Sequence, residues 1–271
     1  MNQRWLVVCA ALLGVAGNGN AGTANCAGID ALAQGKLVVH QAPAGSTVRL
    51  DGRALRVSSD GWYVFGIGRD ASKPVTLEIL SPGAAPCRVR LPVRARQWAI
   101  ERVNGVPQAT VSPPPEIARR IAREQQRVAT TRSIDSSLGD FIHGFIWPVS
   151  GRISGHFGSQ RIYNGEPRSP HSGVDIAAKQ GTPVTAPAAG RVIFADPDLY
   201  LTGGTVLIDH GHGVNSSFLH LSRLDVREGQ QVQQGETIGA VGATGRATGP
   251  HLHWGLNWFD VRLDPEALPP R

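Results

Sequence analysis

Thirty-three glycines and nineteen prolines punctuate this 271-residue chain. At that density few stretches are long enough for a helix. The segments between them are short and rich in Val, Ile, Leu and aromatic residues, so the pattern predicts strands joined by tight turns. From residue 26 to about 105 the runs include Leu37-Val38-Val39, Thr47-Val48-Arg49-Leu50, Trp62-Tyr63-Val64-Phe65 and Val75-Thr76-Leu77-Glu78-Ile79-Leu80. Asp51-Gly52 and Asp60-Gly61 are turn signals between them. This half reads as a small antiparallel β domain, sandwich-like. From Phe145 onward the pattern returns: Gly190 to Ala195, Thr205 to Asp209, Phe218 to Leu221 and Thr237 to Val241. The expected class is all-β, with an antiparallel C-terminal domain.

One segment breaks the pattern. After Ser112-Pro113-Pro114-Pro115 a helix is predicted over Glu116 to Thr131, with proline at its front and an acid in its first turn. Arg119, Arg120, Arg123, Arg127 and Arg132 crowd it, and its apolar face is thin. It reads as a solvated linker helix resting on a neighbouring domain. The expected boundaries are 1–21 for a signal peptide, 22–111 for the N-terminal β domain, 112–140 for the Pro-rich boundary and helix, and 141–271 for the C-terminal domain.

The signal reading rests on Arg4, the apolar run Trp5 to Val15 and the small residues ending Gly19-Asn20-Ala21. The run is about half of what a membrane span needs. Export makes Cys26 and Cys87 a disulfide candidate, two free buried thiols being the alternative. Closing a loop of that length stabilises by about 4 kcal/mol in the chain-entropy model. The net charge of +6 is carried mainly by arginine and suits an anionic polymer such as a cell wall. Nucleic acid is disfavoured by the export signal and by the absence of an aromatic–basic stripe.

The chemistry-bearing residues come in two distant groups. His171 and Asp175 frame the stretch His171-Ser172-Gly173-Val174-Asp175, and His251-Leu252-His253 follows far downstream. Residues two apart on a strand share a face. Two imidazoles and a carboxylate can hold a catalytic zinc with one position left open. Each group alone is more often a surface or core feature. His220 is an imidazole in an otherwise apolar strand, with a satisfied core histidine as the plain alternative. His210 and His212 sit in a predicted hairpin turn and are poor ligand candidates. There is no His-Glu-x-x-His helix to supply a glutamate base.

These motifs and their order resemble the LytM/lysostaphin-type zinc metallopeptidases, which cut peptide bonds in bacterial peptidoglycan. The resemblance covers roughly residues 147–265. It is carried by Pro170-His171-Ser172-Gly173-Val174-Asp175-Ile176, Ile208-Asp209-His210-Gly211, Leu219-His220-Leu221 and Thr244-Gly245-Arg246-Ala247-Thr248-Gly249-Pro250-His251-Leu252-His253. It implies one Zn2+ per chain on His171, Asp175 and His253, with His220 and His251 as unligated catalytic histidines. The upstream half, with Asn104-Gly105-Val106-Pro107-Gln108, the proline run and the basic helix, is similar to the β-rich N-terminal domain of exported Gram-negative members. That half is expected to position or restrain the catalytic domain.

The resemblance implies a periplasmic enzyme acting on peptidoglycan stem peptides and cross-links, with no stable membrane span once the signal is removed. Arg161 and Arg168 are candidates to meet carboxylates of a wall peptide. Phe218 stands where the family often has tyrosine, so a substrate contact is expected to lack its hydroxyl. Two other readings compete. Relatives on this fold that have lost zinc ligands act as non-catalytic activators of other wall hydrolases, but here every expected ligand is present. The spacing Val226-x-x-Gly229-x-x-Val232-x-x-Gly235-x-x-Ile238-Gly239 looks like part of a biotinyl/lipoyl carrier, yet no lysine follows Lys179.

Overall fold

The computed structural model describes residues 26–29, 32–105 and 113–268. The expected signal peptide lies outside them. Nine strands form the first half: β1 (Leu32–Ala33), β2 (Leu37–Gln41), β3 (Thr47–Leu50), β4 (Arg53–Leu55), β5 (Trp62–Gly66), β6 (Val75–Leu80), β7 (Cys87–Leu91), β8 (Val93–Arg94) and β9 (Ile100–Val103). Helix α1 (Pro115–Arg132) follows, one residue longer at each end than expected. The second half opens with β10 (Arg152–Gly155), β11 (Gln160–Tyr163), β12 (Glu166–Pro167), β13 (Val174–Ala177) and β14 (Pro183–Thr185). It continues with β15 (Gly190–Leu199), β16 (Gly203–Gly211), β17 (Val214–Leu221) and β18 (Arg223–Leu224). It closes with β19 (Gln231–Val232), β20 (Thr237–Ala240), β21 (His251–Trp258) and β22 (Val261–Leu263).

In the first half the sheets β4-β3-β6-β7 and β2-β5 enclose Tyr63, Phe65, Leu77 and Val89. Cys26 and Cys87 form a disulfide, as expected. In the second half the order β10-β13-β21-β17-β16-β15-β19 makes the main antiparallel sheet, with β22 added against β21. The small sheet β14-β20-β18 covers its apolar face. Val174, Ile176, Ile208, Phe218, Leu252 and Trp254 from the main sheet meet Val184 and Ile238 there. Strict alternation along β13 and β21 sends these residues inward and leaves Asp175, His251 and His253 on the other face.

The halves are joined in two ways that local patterning does not reveal. Tyr63, Phe65 and Leu77 belong to the same buried cluster as Leu256, Trp258 and Leu263. Strand β9, from the first half, pairs in parallel with β11 of the second, Ile100 opposite Gln160 and Glu101 opposite Arg161. Among the described residues, that pairing and β1 with β8 are the two parallel exceptions to an otherwise antiparallel architecture. Helix α1 buries no residue and lies against β15. Arg127 pairs with Asp196 at 2.9 Å, Arg120 with Asp198 at 3.1 Å, and Glu124 accepts the Tyr200 N–H at 2.8 Å. Exposed ion pairs of this kind are each worth well under about 1 kcal/mol.

His212 sits in the β16–β17 turn, as expected, whereas His210 lies on β16 itself. His210 is fully buried, with Nδ1 facing the Ala189 carbonyl at 2.7 Å and Nε2 facing the Ser216 hydroxyl at 2.9 Å. It is a satisfied core histidine. Burial pushes its pKa down to about 4. An unfolded chain protonates the same ring near 6.5. Stability from this residue is therefore complete above about pH 6.5 and falls as the pH drops toward 4. The metal-free protein should lose on the order of 3 kcal/mol from His210 across that window, at about 1.4 kcal/mol per pKa unit. Urea midpoints at pH 7 and pH 4.5 measure it: His210→Gln should show a smaller loss than wild type, and an equal loss would contradict the assignment.

Candidate metal centre

The centre is built where β13 meets β21. Their register sets Asp175 opposite His253 and Ala177 opposite His251, so all four share the face away from the core. His171 arrives from the preceding loop. Its N–H donates to Ser159 O at 2.9 Å, and its carbonyl accepts the Gly158 N–H at 2.9 Å. Two glycines give the cluster room. A Cβ on Gly173 would lie 2.8 Å from His253 Nε2 and 2.3 Å from Trp254 O, and one on Gly155 would lie 2.6 Å from Asp175 Oδ2. A side chain in place of the glycine of His-Ser-Gly-Val-Asp would strike the Trp254 carbonyl first and the His253 ring next.

Three atoms converge. His171 Nε2 lies 2.9 Å from Asp175 Oδ1 and 2.9 Å from His253 Nδ1, and His253 Nδ1 lies 2.8 Å from Asp175 Oδ1. His171 Nδ1 donates to the His156 carbonyl at 3.0 Å, so Nε2 presents a lone pair to the cluster. A single proton on His253 Nδ1 can serve only one of these contacts squarely. A cation serves all of them. Donors of a tetrahedral zinc with bonds near 2.05 Å stand about 3.3 Å apart, about half an ångström wider than these separations, a gap that small side-chain shifts close. The donor set therefore fits zinc. Among the described residues no other group of three His, Cys, Asp or Glu converges this way.

Electrostatics follow the geometry. Burial works against the Asp175 carboxylate, but its contacts with His171 and His253 outweigh that and hold it well below the usual carboxylate range. Burial pushes His253 down to about 3, leaving a neutral imidazole suited to ligation.

His220 and His251 stand beside the trio, with ring centroids 4.8 Å apart. His220 Nδ1 donates to Thr244 O at 2.8 Å and His251 Nδ1 to Gly249 O at 2.8 Å. Each Nε2 is thereby left as the free nitrogen, and that of His251 comes within 3.8 Å of Asp175 Oδ1. His220 reaches this face through a break in the pleat. Its φ is +65°, a left-handed conformation that costs a non-glycine residue roughly 1–2 kcal/mol. Residues 218 and 221 point into the core while Leu219 and His220 both line the groove. Burial, and then the neighbouring His251, push His220 down to about 4.

The bulge corrects one expectation. Phe218 lies opposite Trp254, is 0% exposed and packs in the core. It cannot touch substrate, and Leu219, opposite His253, takes the exposed place. Arg161 has a contact that the sequence does not announce. Its Nη2 donates to Asp175 Oδ2 at 2.6 Å, so it grips the ligand carboxylate while also lining the groove. Arg168 lies on the groove wall, paired with Glu166. The sequence reading missed Glu101, Tyr163 and Arg246. Arg246 sits 5.2 Å above the Tyr163 ring in the same groove. The groove, about 980 Å³, is walled on one side by Arg69, Asp70 and Ala71 of the first half and by Ile121 of α1.

A family model described as peptidase family M23 matches residues 169–265. Over 106 residues the chain is 42% identical to the peptidoglycan DD-endopeptidase ShyA of Vibrio cholerae, covering 39% of this chain and 24% of ShyA. Over 100 residues it is 49% identical to the DD-carboxypeptidase/endopeptidase Mpg of Neisseria meningitidis, covering 37% of this chain and 22% of Mpg. The chain thus spans about a quarter of the length of these curated relatives. A crystal structure of a peptidase M23 from Pseudomonas aeruginosa aligns with a TM-score of 0.64 at 33% identity, over 87% of this chain and 93% of that one.

Equilibrium dialysis against Zn2+ should find one ion per wild-type chain and none held tightly by His253→Ala. Equal binding by the two proteins would remove His253 from the ligand set.

Proposed function

Because the chain belongs to peptidase family M23, we propose that it is a zinc-dependent endopeptidase that hydrolyses peptide cross-links of peptidoglycan. The observation that carries this reading is the convergence of His171 Nε2, Asp175 Oδ1 and His253 Nδ1 beside two histidines whose Nδ1 atoms are already committed. Zinc bound to the trio would polarise the scissile carbonyl and lower the pKa of a water toward neutrality.

The rest of the chemistry falls to the chain. His251, nearer the ligand carboxylate, accepts the proton of the attacking water at Nε2. Neutral His220 also carries a lone pair at Nε2, so it donates only after receiving the proton that His251 has taken from the water, the two ring centroids being 4.8 Å apart. The geometry therefore suits it to hand a proton to the leaving amine better than to greet the oxyanion first. The backbone carbonyls of Thr244 and Gly249 keep both rings in the tautomer this exchange needs. Arg168 and Arg246 give the groove a cationic wall that suits the carboxylates of a wall peptide.

The names of ShyA and Mpg support the choice of substrate, and with the expected leader they support an exported, periplasmic protein. Among the described residues no helix is long and apolar enough to cross a membrane. In this reading the N-terminal β domain, expected over residues 22–111, and α1 serve the catalytic half, expected over residues 141–271. The core shared by Tyr63, Phe65, Leu256 and Trp258 supports positioning, and Arg69, Asp70, Ala71 and Ile121 on the groove wall would serve restraint.

Digestion of purified sacculi by the zinc-loaded protein should release cross-link fragments. His220→Ala and His251→Ala should retain zinc and lose about 10²–10⁴-fold in rate. A zinc-loaded variant with near-native turnover would remove that histidine from the mechanism. No release by wild type under any condition would favour a non-catalytic wall-binding activator.

A further inference from the structure

The matched family segment, residues 169–265, contains the whole donor trio but not everything that touches it. Asp175 uses its two oxygens differently. Oδ1 faces His171 and His253. Oδ2 accepts from Arg161 Nη2 at 2.6 Å, an ion pair with both partners largely shielded from water. Arg161 in turn points its Nε at Glu101 Oε2, 3.3 Å away, and its Nη1 at the Tyr163 hydroxyl, 3.2 Å away. Burial opposes the charge on Arg161, but Asp175, Tyr163 and Glu101 outweigh it and raise its pKa.

Glu101 belongs to the other half of the molecule. It is brought there by the parallel pairing of β9 with β11, in which Glu101 and Arg161 are direct partners. Gly155 makes the approach possible, because a Cβ there would lie 3.2 Å from Arg161 Nη2 and closer still to Asp175 Oδ2. A guanidinium is a rigid planar fork, so anchoring one edge fixes the other.

We propose that Glu101 and Arg161 are positioning residues of the metal centre: β9 of the N-terminal module, through Glu101, orients Arg161, which holds Asp175 Oδ2 and leaves Oδ1 as the single carboxylate donor. The site is then assembled from both halves of the chain, and its affinity for a divalent cation depends on the docking of a strand that the family segment does not contain. This rests on the zinc reading above. Groups that orient a metal ligand commonly change affinity by about 10–100-fold when removed. Arg161 touches the ligand, and Glu101 acts one contact further out.

The test uses the full chain and Zn2+ alone, with affinity read by competition against a chromophoric chelator and folding checked by circular dichroism. Arg161→Gln should bind zinc about tenfold more weakly than wild type. Arg161→Lys should do no better, because an ammonium keeps the charge but cannot span both carboxylates. Glu101→Gln, nearly isosteric, should weaken binding by at least about threefold. The double variant Glu101→Gln/Arg161→Gln should bind no more weakly than Arg161→Gln. Arg102→Gln, which alters the charge of the same strand at an exposed position, should stay within about twofold of wild type. Folded Glu101→Gln with wild-type affinity would overturn the proposal, as would losses that simply multiply in the double variant. A wild type that takes up no zinc would instead overturn the metal reading beneath it, so the two failures are distinguished by the wild-type protein itself.

Discussion

The register of one strand pair governs the rest of this structure. With Asp175 opposite His253, β13 and β21 put two donors on one face and Val174, Ile176, Leu252 and Trp254 on the other. A slip of one residue would exchange the faces, burying a carboxylate and two imidazoles in the core. The apolar side therefore enforces the polar side: the core that stabilises the sheet also holds the donors in place. The two glycines follow from the same constraint: the β21 backbone and the His253 ring leave no room for a Cβ at Gly173, and the Asp175 carboxylate leaves none at Gly155.

A buried cluster of ionisable groups is costly unless each member is paired. Asp175 meets that condition through both oxygens, with histidines on one and Arg161 on the other. Arg161 meets it through Glu101, from across the boundary between the halves. The strain at His220 has a comparable logic. Its left-handed backbone is held by its N–H bond to Thr202 O at 2.8 Å and by its ring contact with Thr244 O, and it lifts the ring out of the apolar row onto the groove.

Much of this was legible in the sequence because it is local. Alternating runs announce strands, Asp-Gly steps announce turns, and the Pro-rich stop followed by Glu116 announces the helix. His251 and His253, two apart, declare a common face. Phe218 was expected at the substrate from the resemblance alone; the bulge beside it turns its ring into the core, and no nearby glycine or proline marks that break. The partners of Arg161 were not legible because they lie far away: Asp175 across a loop, and Glu101 some sixty residues upstream on a strand whose pairing is parallel. A charged residue opposite another on a distant strand leaves no periodic trace. The shared core of Tyr63, Phe65 and Trp258 is hidden for the same reason, since each half alone reads as a self-contained set of strands.

The account stands or falls on which side chains hold the metal. Anomalous scattering at the zinc absorption edge, from crystals grown with Zn2+, reads this directly. One strong peak in contact with His171 Nε2, Asp175 Oδ1 and His253 Nδ1, and clear of His220 and His251, is the predicted result. A peak ligated by His251 or His220, or by both oxygens of Asp175 with Arg161 displaced, would contradict it.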